Sequence, residues 1–193
     1  MNRGITSWLE EKSTGKLTIV GLVLFVLFSV LFLPVQSQQA EFYSQGMGSP
    51  DTSLFYTPAD LYEMANAYGE EGRIAYINAR FSFDIAFPIL YTFFLTTAIS
   101  WFSKRVLAQQ SSLHSGNVLP LYAFVFDFLE NISTSMVFKN FPEQSRFWAS
   151  LAPFCTLVKW IYVAASFVLL LGLVIGYIIQ RVRKLPEPDE PAE

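Results

Sequence analysis

The stretch VLPLYAFVFDFLENISTSMVF, residues 118–138, reads as a membrane-crossing helix, yet it carries Asp127 and Glu130 in its middle. At about 100° per residue, Asp127, Glu130, Asn131 and Thr134 share one face, while Phe and Val occupy the other. Charge inside a span is expensive and normally faces a protein interior. This helix therefore has to turn its acids toward neighbouring helices.

Three further apolar stretches supply those neighbours. The first, residues 17–33, follows Lys12 and Lys16 and is closed by Pro34; its roughly 17 residues just cross a ~30 Å hydrocarbon core. The run is longer than the usual signal-peptide core, so it reads as a retained span; the alternative, a cleaved signal with Ser37 and Ala40 near the cut, stays open. Residues 81–102 form the second span and residues 151–179 the fourth, which is long enough to tilt or protrude. The expected fold is all-α: an integral membrane four-helix bundle making one domain over residues 1–180.

Composition agrees. Of 193 residues, 52% are hydrophobic and 15% charged, against about a quarter charged in ordinary soluble domains. Nineteen Phe, nine Tyr and four Trp suit lipid contact and the interfacial belts. The single Cys155 excludes an internal disulfide, and no His or Cys spacing matches a metal or haem site, so neither metal nor cofactor is expected. Phosphate loops, nucleophile elbows and metalloprotease helices are missing, and nucleic acid is not an expected partner. The glycosylation pattern at Asn131 falls inside a span and is read as chance. His114, in a short loop, is read as solvated.

Lys and Arg near the span ends set the orientation. Arg3, Lys12, Lys16, Lys104, Arg105, Arg181, Arg183 and Lys184 lie on one side, against Arg73, Arg80, Lys139 and Arg146 on the other. That bias predicts a multi-pass cell-membrane protein with both termini cytoplasmic. Residues 36–80 then form an outer loop with six acids and two arginines. Its first part reads as irregular. Thr57, Pro58 and Asp60 then signal a helix start. A short amphipathic extracytoplasmic helix should follow through Tyr68, with Leu61, Met64, Ala65 and Tyr68 on one side, lying on the membrane or capping the bundle. Gly69 should end it, and a second helix should run from Arg73 straight into the second span. Residues 181–193, rich in Pro and acid, read as a disordered cytoplasmic tail.

Polar faces recur in the other spans. Arg80, Asp84, Pro88 and Tyr91 align on the second; Cys155, Thr156, Lys159, Tyr162 and Ser166 align on the fourth. Counted from the outer ends at ~1.5 Å per residue, Glu130 and Lys159 both lie ~12 Å deep, Asp84 ~6 Å and Asp127 ~16 Å. Glu130 and Lys159 should pair, because either alone would be an uncompensated buried charge. Gly172 and Gly176 form a small-residue ridge that favours close helix contact, within the bundle or in a homo-oligomer.

The four-span layout, together with Asp84, Pro88 and Tyr91 early in the second helix and more acid inside, resembles the sterol-isomerase and sigma-2-receptor type of membrane protein. The resemblance covers about half the chain. It departs in the first span, which has no acid, and in the third, where Asp127, Glu130 and Asn131 have no counterpart.

Three functional expectations follow. The first is a membrane protein binding an amphiphilic or cationic small molecule, or a lipid, in an acid-lined cavity formed by Asp84, Tyr91, Asp127, Glu130, Asn131, Lys159 and Tyr162. The outer helix would gate entry. If proton transfer follows binding, Asp127 and Glu130 are the candidate acids. The second is a proton- or cation-coupled transporter acting as a homo-oligomer, and the third a non-catalytic accessory subunit whose polar core only orients helices.

Overall fold

A computed structural model describes residues 3–183, and within them the chain is helical with no strand. The long elements are α1 (Arg3–Lys12), α2 (Gly15–Ser44), α3 (Pro58–Ala67), α4 (Gly69–Arg80), α5 (Phe83–Val106), α6 (Leu119–Asn140) and α7 (Arg146–Val182). A 3-10 turn, Ser112–Val118, leads into α6. Of the expected C-terminal tail, residues 181–193, Arg181 and Val182 instead complete α7, and the part from residue 184 lies outside the described residues.

Three segments are long and apolar enough to cross a membrane: α2, α4 with α5, and α7. Helix α6 is less apolar for a specific reason. Its buried side includes Asp127, Glu130, Asn131, Ser133, Thr134 and Ser135, whereas Leu121, Tyr122, Val125, Phe128 and Leu129 are exposed. The helix is polar inward and apolar outward, the reverse of a helix on a water-soluble domain.

Helices α5, α6 and α7 pack on one another, and α2 leans mainly on α5. The close approach is at Gly21, where a Cβ would stand 3.0 Å from the Phe94 Cα. Phe25 then stacks against Phe87 and Phe94 at centroid distances of 6.0 and 5.6 Å. The apolar side chains form two separate clusters. One, around Leu95, Ile99, Ala123 and Leu173, holds α5, α6 and α7 together toward the chain termini. The other joins Leu61, Met64, Ala65 and Tyr68 of α3 to Val137 and Phe138 of α6 and to Ala149 and Ala152 of α7. A layer of buried polar side chains lies between them along α6 and α7.

The outer segment follows its sequence signals closely. The Thr57 hydroxyl accepts from the Asp60 N–H at 3.2 Å, and the Asp60 carboxylate accepts from the Thr57 N–H at 2.7 Å, closing a capping box with Pro58 at the first helical position. Leu61 and Ala65 are fully buried, so α3 caps the helices below. Tyr62 fixes its far side, with its hydroxyl accepting from the Ser145 N–H at 2.7 Å. Gly69, at φ +62°, makes the turn into α4, a conformation that a Cβ would strain.

Several expectations are corrected. Pro34 does not close the first helix, which runs ten residues further to Ser44 and stops where Gln45 and Gly46 take positive φ. Proline inside a helix removes one backbone donor, and α2 carries that loss without stopping. Residues 36–44 are thus helical rather than irregular. The passage from α4 to α5 is broken at 81–82, because the Ser82 hydroxyl donates to the Asn78 carbonyl at 2.6 Å and competes with the helix ladder. His114 is not merely solvated: its Nδ1 meets Glu10 Oε1 at 2.5 Å, both side chains 16% exposed. The unforeseen helix α1 brings Glu10 there, and Lys104 holds that corner through the Glu10 and Ser13 carbonyls. Of the glycine ridge, one position makes a close contact within the bundle. A Cβ at Gly176 would stand 2.8 Å from Val106, whereas Gly172 faces open space.

Replacing Thr57 with Ala should cost about 1 kcal/mol of stability, read from thermal unfolding in detergent. The hydrogen bonds from Thr57, its backbone N–H first, hold the Asp60 carboxyl below its ordinary 3.8. A folded-state value below the unfolded one means this contribution is complete above 3.8 and is lost as pH falls through the depressed value. The melting gap between wild type and Asp60→Ala should therefore be open at neutral pH and close in acid.

Candidate functional site

The polar layer is built from five elements: α4, the first part of α5, α6, α7, and the loop preceding α3. At its centre Lys159 Nζ forms an ion pair with Glu130 Oε2, the side chains 8% and 0% exposed. The Thr156 hydroxyl, one turn from Lys159 on α7, donates to Glu130 Oε1 at 2.7 Å. Thr156 has one proton to give, so Tyr56, 2.9 Å away, donates its own to the Thr156 oxygen. Burial first, and then the nearby Glu130 charge, push the Tyr56 hydroxyl well above its usual range and keep it a donor. The result is a directed chain from the outer loop to the Glu130–Lys159 pair.

Asp127 lies one turn from Glu130 on α6. Its Oδ2 accepts from the Tyr91 hydroxyl at 3.2 Å and its Oδ1 from the Asn131 amide at 3.4 Å. Among the described residues no salt bridge reaches it. Toward the outer end, Arg80 is held between two carboxylates. Its Nη2 meets Asp84 Oδ2 at 2.5 Å, one helical turn on, and its Nη1 pairs with Asp51. Asp51 also accepts from the Tyr76 hydroxyl at 3.1 Å and the Ser49 hydroxyl at 2.8 Å, and the guanidinium lies over the Tyr76 ring at 4.6 Å. Asp84 is close enough to Asp127 and Lys159 to interact electrostatically with both. The layer thus contains four carboxyl groups and two bases.

Of the residues expected from sequence, Asp84, Tyr91, Asp127, Glu130, Asn131 and Lys159 come together. Tyr162 does not: its ring stacks with Tyr122 and Phe126 at centroid distances of 5.3 and 6.0 Å, on the apolar packing below the layer. Its place three residues beyond Lys159 turns it toward the inner part of α6 rather than toward the acids. Asp51, Tyr56 and Tyr76 were not foreseen. Asp51 and Tyr56 sit in a loop with no periodicity, and Tyr76 is silent in a short helix; the signal available was Arg80, a buried base one turn from Asp84 and therefore open to a second acid.

Two grooves among the described residues have no acid in their walls. One, of about 520 Å³, is open at the outer end of α7 and is lined by Arg146, Phe147, Ser150, Leu151 and Phe154. The other, of about 360 Å³, lies between α2, α5 and α7 at their opposite ends. Among the described residues no cluster of His, Cys, Asp and Glu has the arrangement of a metal site. Comparison with protein-family models, curated protein sequences and solved structures finds no match.

Because the Glu130–Lys159 pair is sealed from water, removing one partner strands the other. Lys159→Met should destabilise by about 3–5 kcal/mol, and the double variant Lys159→Met with Glu130→Gln should recover most of that loss, as followed by thermal unfolding in detergent. Equal loss in single and double variants would show that the pair itself is not the source.

Proposed function

We propose that this is a polytopic membrane protein in which α2, α5, α6 and α7 cross the bilayer as a four-helix bundle, with both termini cytoplasmic. We further propose that its acid-rich layer binds an amphiphilic or cationic small molecule, or a lipid with a cationic head. The apolar outer face of α6 and the three long apolar segments support the membrane placement. The observation that carries the binding assignment is the imbalance within one sheltered layer. Arg80 is shared by Asp51 and Asp84 and Lys159 is engaged by Glu130, whereas Asp127 accepts hydrogen bonds from Tyr91 and Asn131, feels Lys159 and Arg80 only through space, and has no ion pair of its own among the described residues.

A cation brought beside Asp127 supplies the charge that the protein omits, and Tyr91 offers an aromatic face next to it. Entry requires the outer cap to lift. The contacts that resist this are Tyr56 on Thr156 and Tyr62 on Ser145, both formed by the segment that would move. Any proton transfer to or from the bound molecule would fall to Asp127 or Glu130.

A second reading, an accessory subunit with a purely structural polar layer, is favoured by one observation: the two grooves open away from the acids. The two readings separate experimentally. With protein in lipid nanodiscs, an alkyltrimethylammonium should raise the melting temperature and a neutral alkyl maltoside of the same chain length should not. Asp127→Asn should weaken binding of the cation about tenfold, the scale of ~1.4 kcal/mol. Equal responses to both compounds, with Asp127→Asn altering stability alone, would establish the structural reading instead.

A further inference from the structure

The second groove has a character opposite to that of the acid layer. Its walls include Ile19 and Leu22 of α2, Phe94 and Trp101 of α5, and Leu170 of α7, with the Thr18 hydroxyl and the Trp101 indole N–H as polar groups. Its volume, about 360 Å³, lies within the range of small-molecule sites, roughly 300–1,000 Å³. It opens where α2 begins and α5 ends.

The mouth is basic. Arg105, exposed, lies over the Trp101 ring at 3.8 Å and bonds the Trp101 carbonyl, so its guanidinium is held beside a wall residue. Lys16, also exposed, stands one position from Gly15. The neighbouring bases are otherwise engaged: Lys104 with the Glu10 and Ser13 carbonyls, and Lys12 with Glu11 at 3.8 Å. An apolar slot with two cations at its interfacial end is complementary to a molecule with one greasy tail and an anionic head. Trp101 stands where interfacial tryptophans settle, between hydrocarbon and headgroups.

We propose that this groove is a binding site for an anionic phospholipid of the cytoplasmic leaflet, with one acyl chain between α2, α5 and α7 and the phosphate met by Arg105 and Lys16. The assignment rests on the membrane placement proposed above and is independent of what the acid layer binds. It also gives α2 a second means of attachment, because the chain would bridge α2 to α5 and α7 where their side chains leave a gap.

The test is native mass spectrometry of the full-length protein exchanged into mixed micelles of phosphatidylglycerol and phosphatidylcholine. Wild type should retain one phosphatidylglycerol with a preference of at least about tenfold, the scale set by two bases at an anionic headgroup. Lys16→Gln with Arg105→Gln should abolish the preference. Leu22→Trp, which fills the slot from a partly exposed position, should abolish retention, while Leu31→Trp on the same helix should not. If Leu22→Trp fails to fold, Ile19→Trp serves in its place. Equal retention of the two lipids by wild type, or undiminished retention by the slot-filling variant, overturns the site alone. Release of the wild-type chain from membranes by alkaline carbonate overturns the membrane placement and the lipid site with it.

Discussion

A charge sealed from water has to be neutralised from within the protein, and that requirement organises this molecule. Glu130 is completely buried and Lys159 nearly so; neither could occupy its position without the other. Meeting that demand fixes the rotation of α6 and α7 about their axes, because the two side chains have to arrive at one depth and face each other. The apolar residues of both helices are then carried to the outside, where α6 exposes Val125 and Phe128. In an apolar surround there is little hydrophobic drive to join helices, so polar contacts of this kind set which faces meet.

The same requirement explains why the outer segment packs so firmly. Asp51 reaches Arg80, and Tyr56 reaches Thr156, so residues remote in sequence complete hydrogen bonds that the helices cannot complete alone. The capping box at Thr57 and the buried face of α3 hold that segment in position. Asp127 is the exception. It has hydrogen-bond donors but no ion pair of its own among the described residues.

The long apolar helices and α3 were legible because apolar runs, the cap at Thr57 and the break at Gly69 are local signals, whereas α1 and the last ten residues of α2 have no such signal. The pairing of Glu130 with Lys159 was legible too, since a helix converts residue count into depth. What depended on distant partners was not. Nothing near Asp51 announces an ion pair with Arg80, and nothing near His114 announces Glu10, because both acids arrive on segments that sequence periodicity leaves unplaced. Pro34 misled for a different reason: a proline removes one hydrogen bond from a helix, and the thirty residues of α2 tolerate that loss. Tyr162 shows that sharing a stripe does not mean sharing a site, since three residues along α7 moved its ring to the aromatic packing of Tyr122 and Phe126.

The two apolar clusters touch α6 and α7 at opposite ends, with the charged groups between them. This arrangement gives the molecule a seam. Water admitted there would solvate groups that already carry charge, whereas water admitted above or below would meet only hydrocarbon. Wetting therefore begins at the seam, and because α6 and α7 run unbroken through both tiers, what can lift away is α3 with the loop that precedes it. Lifting that segment is a local opening, cheaper than global unfolding, and it leaves the packing of α5, α6 and α7 in place.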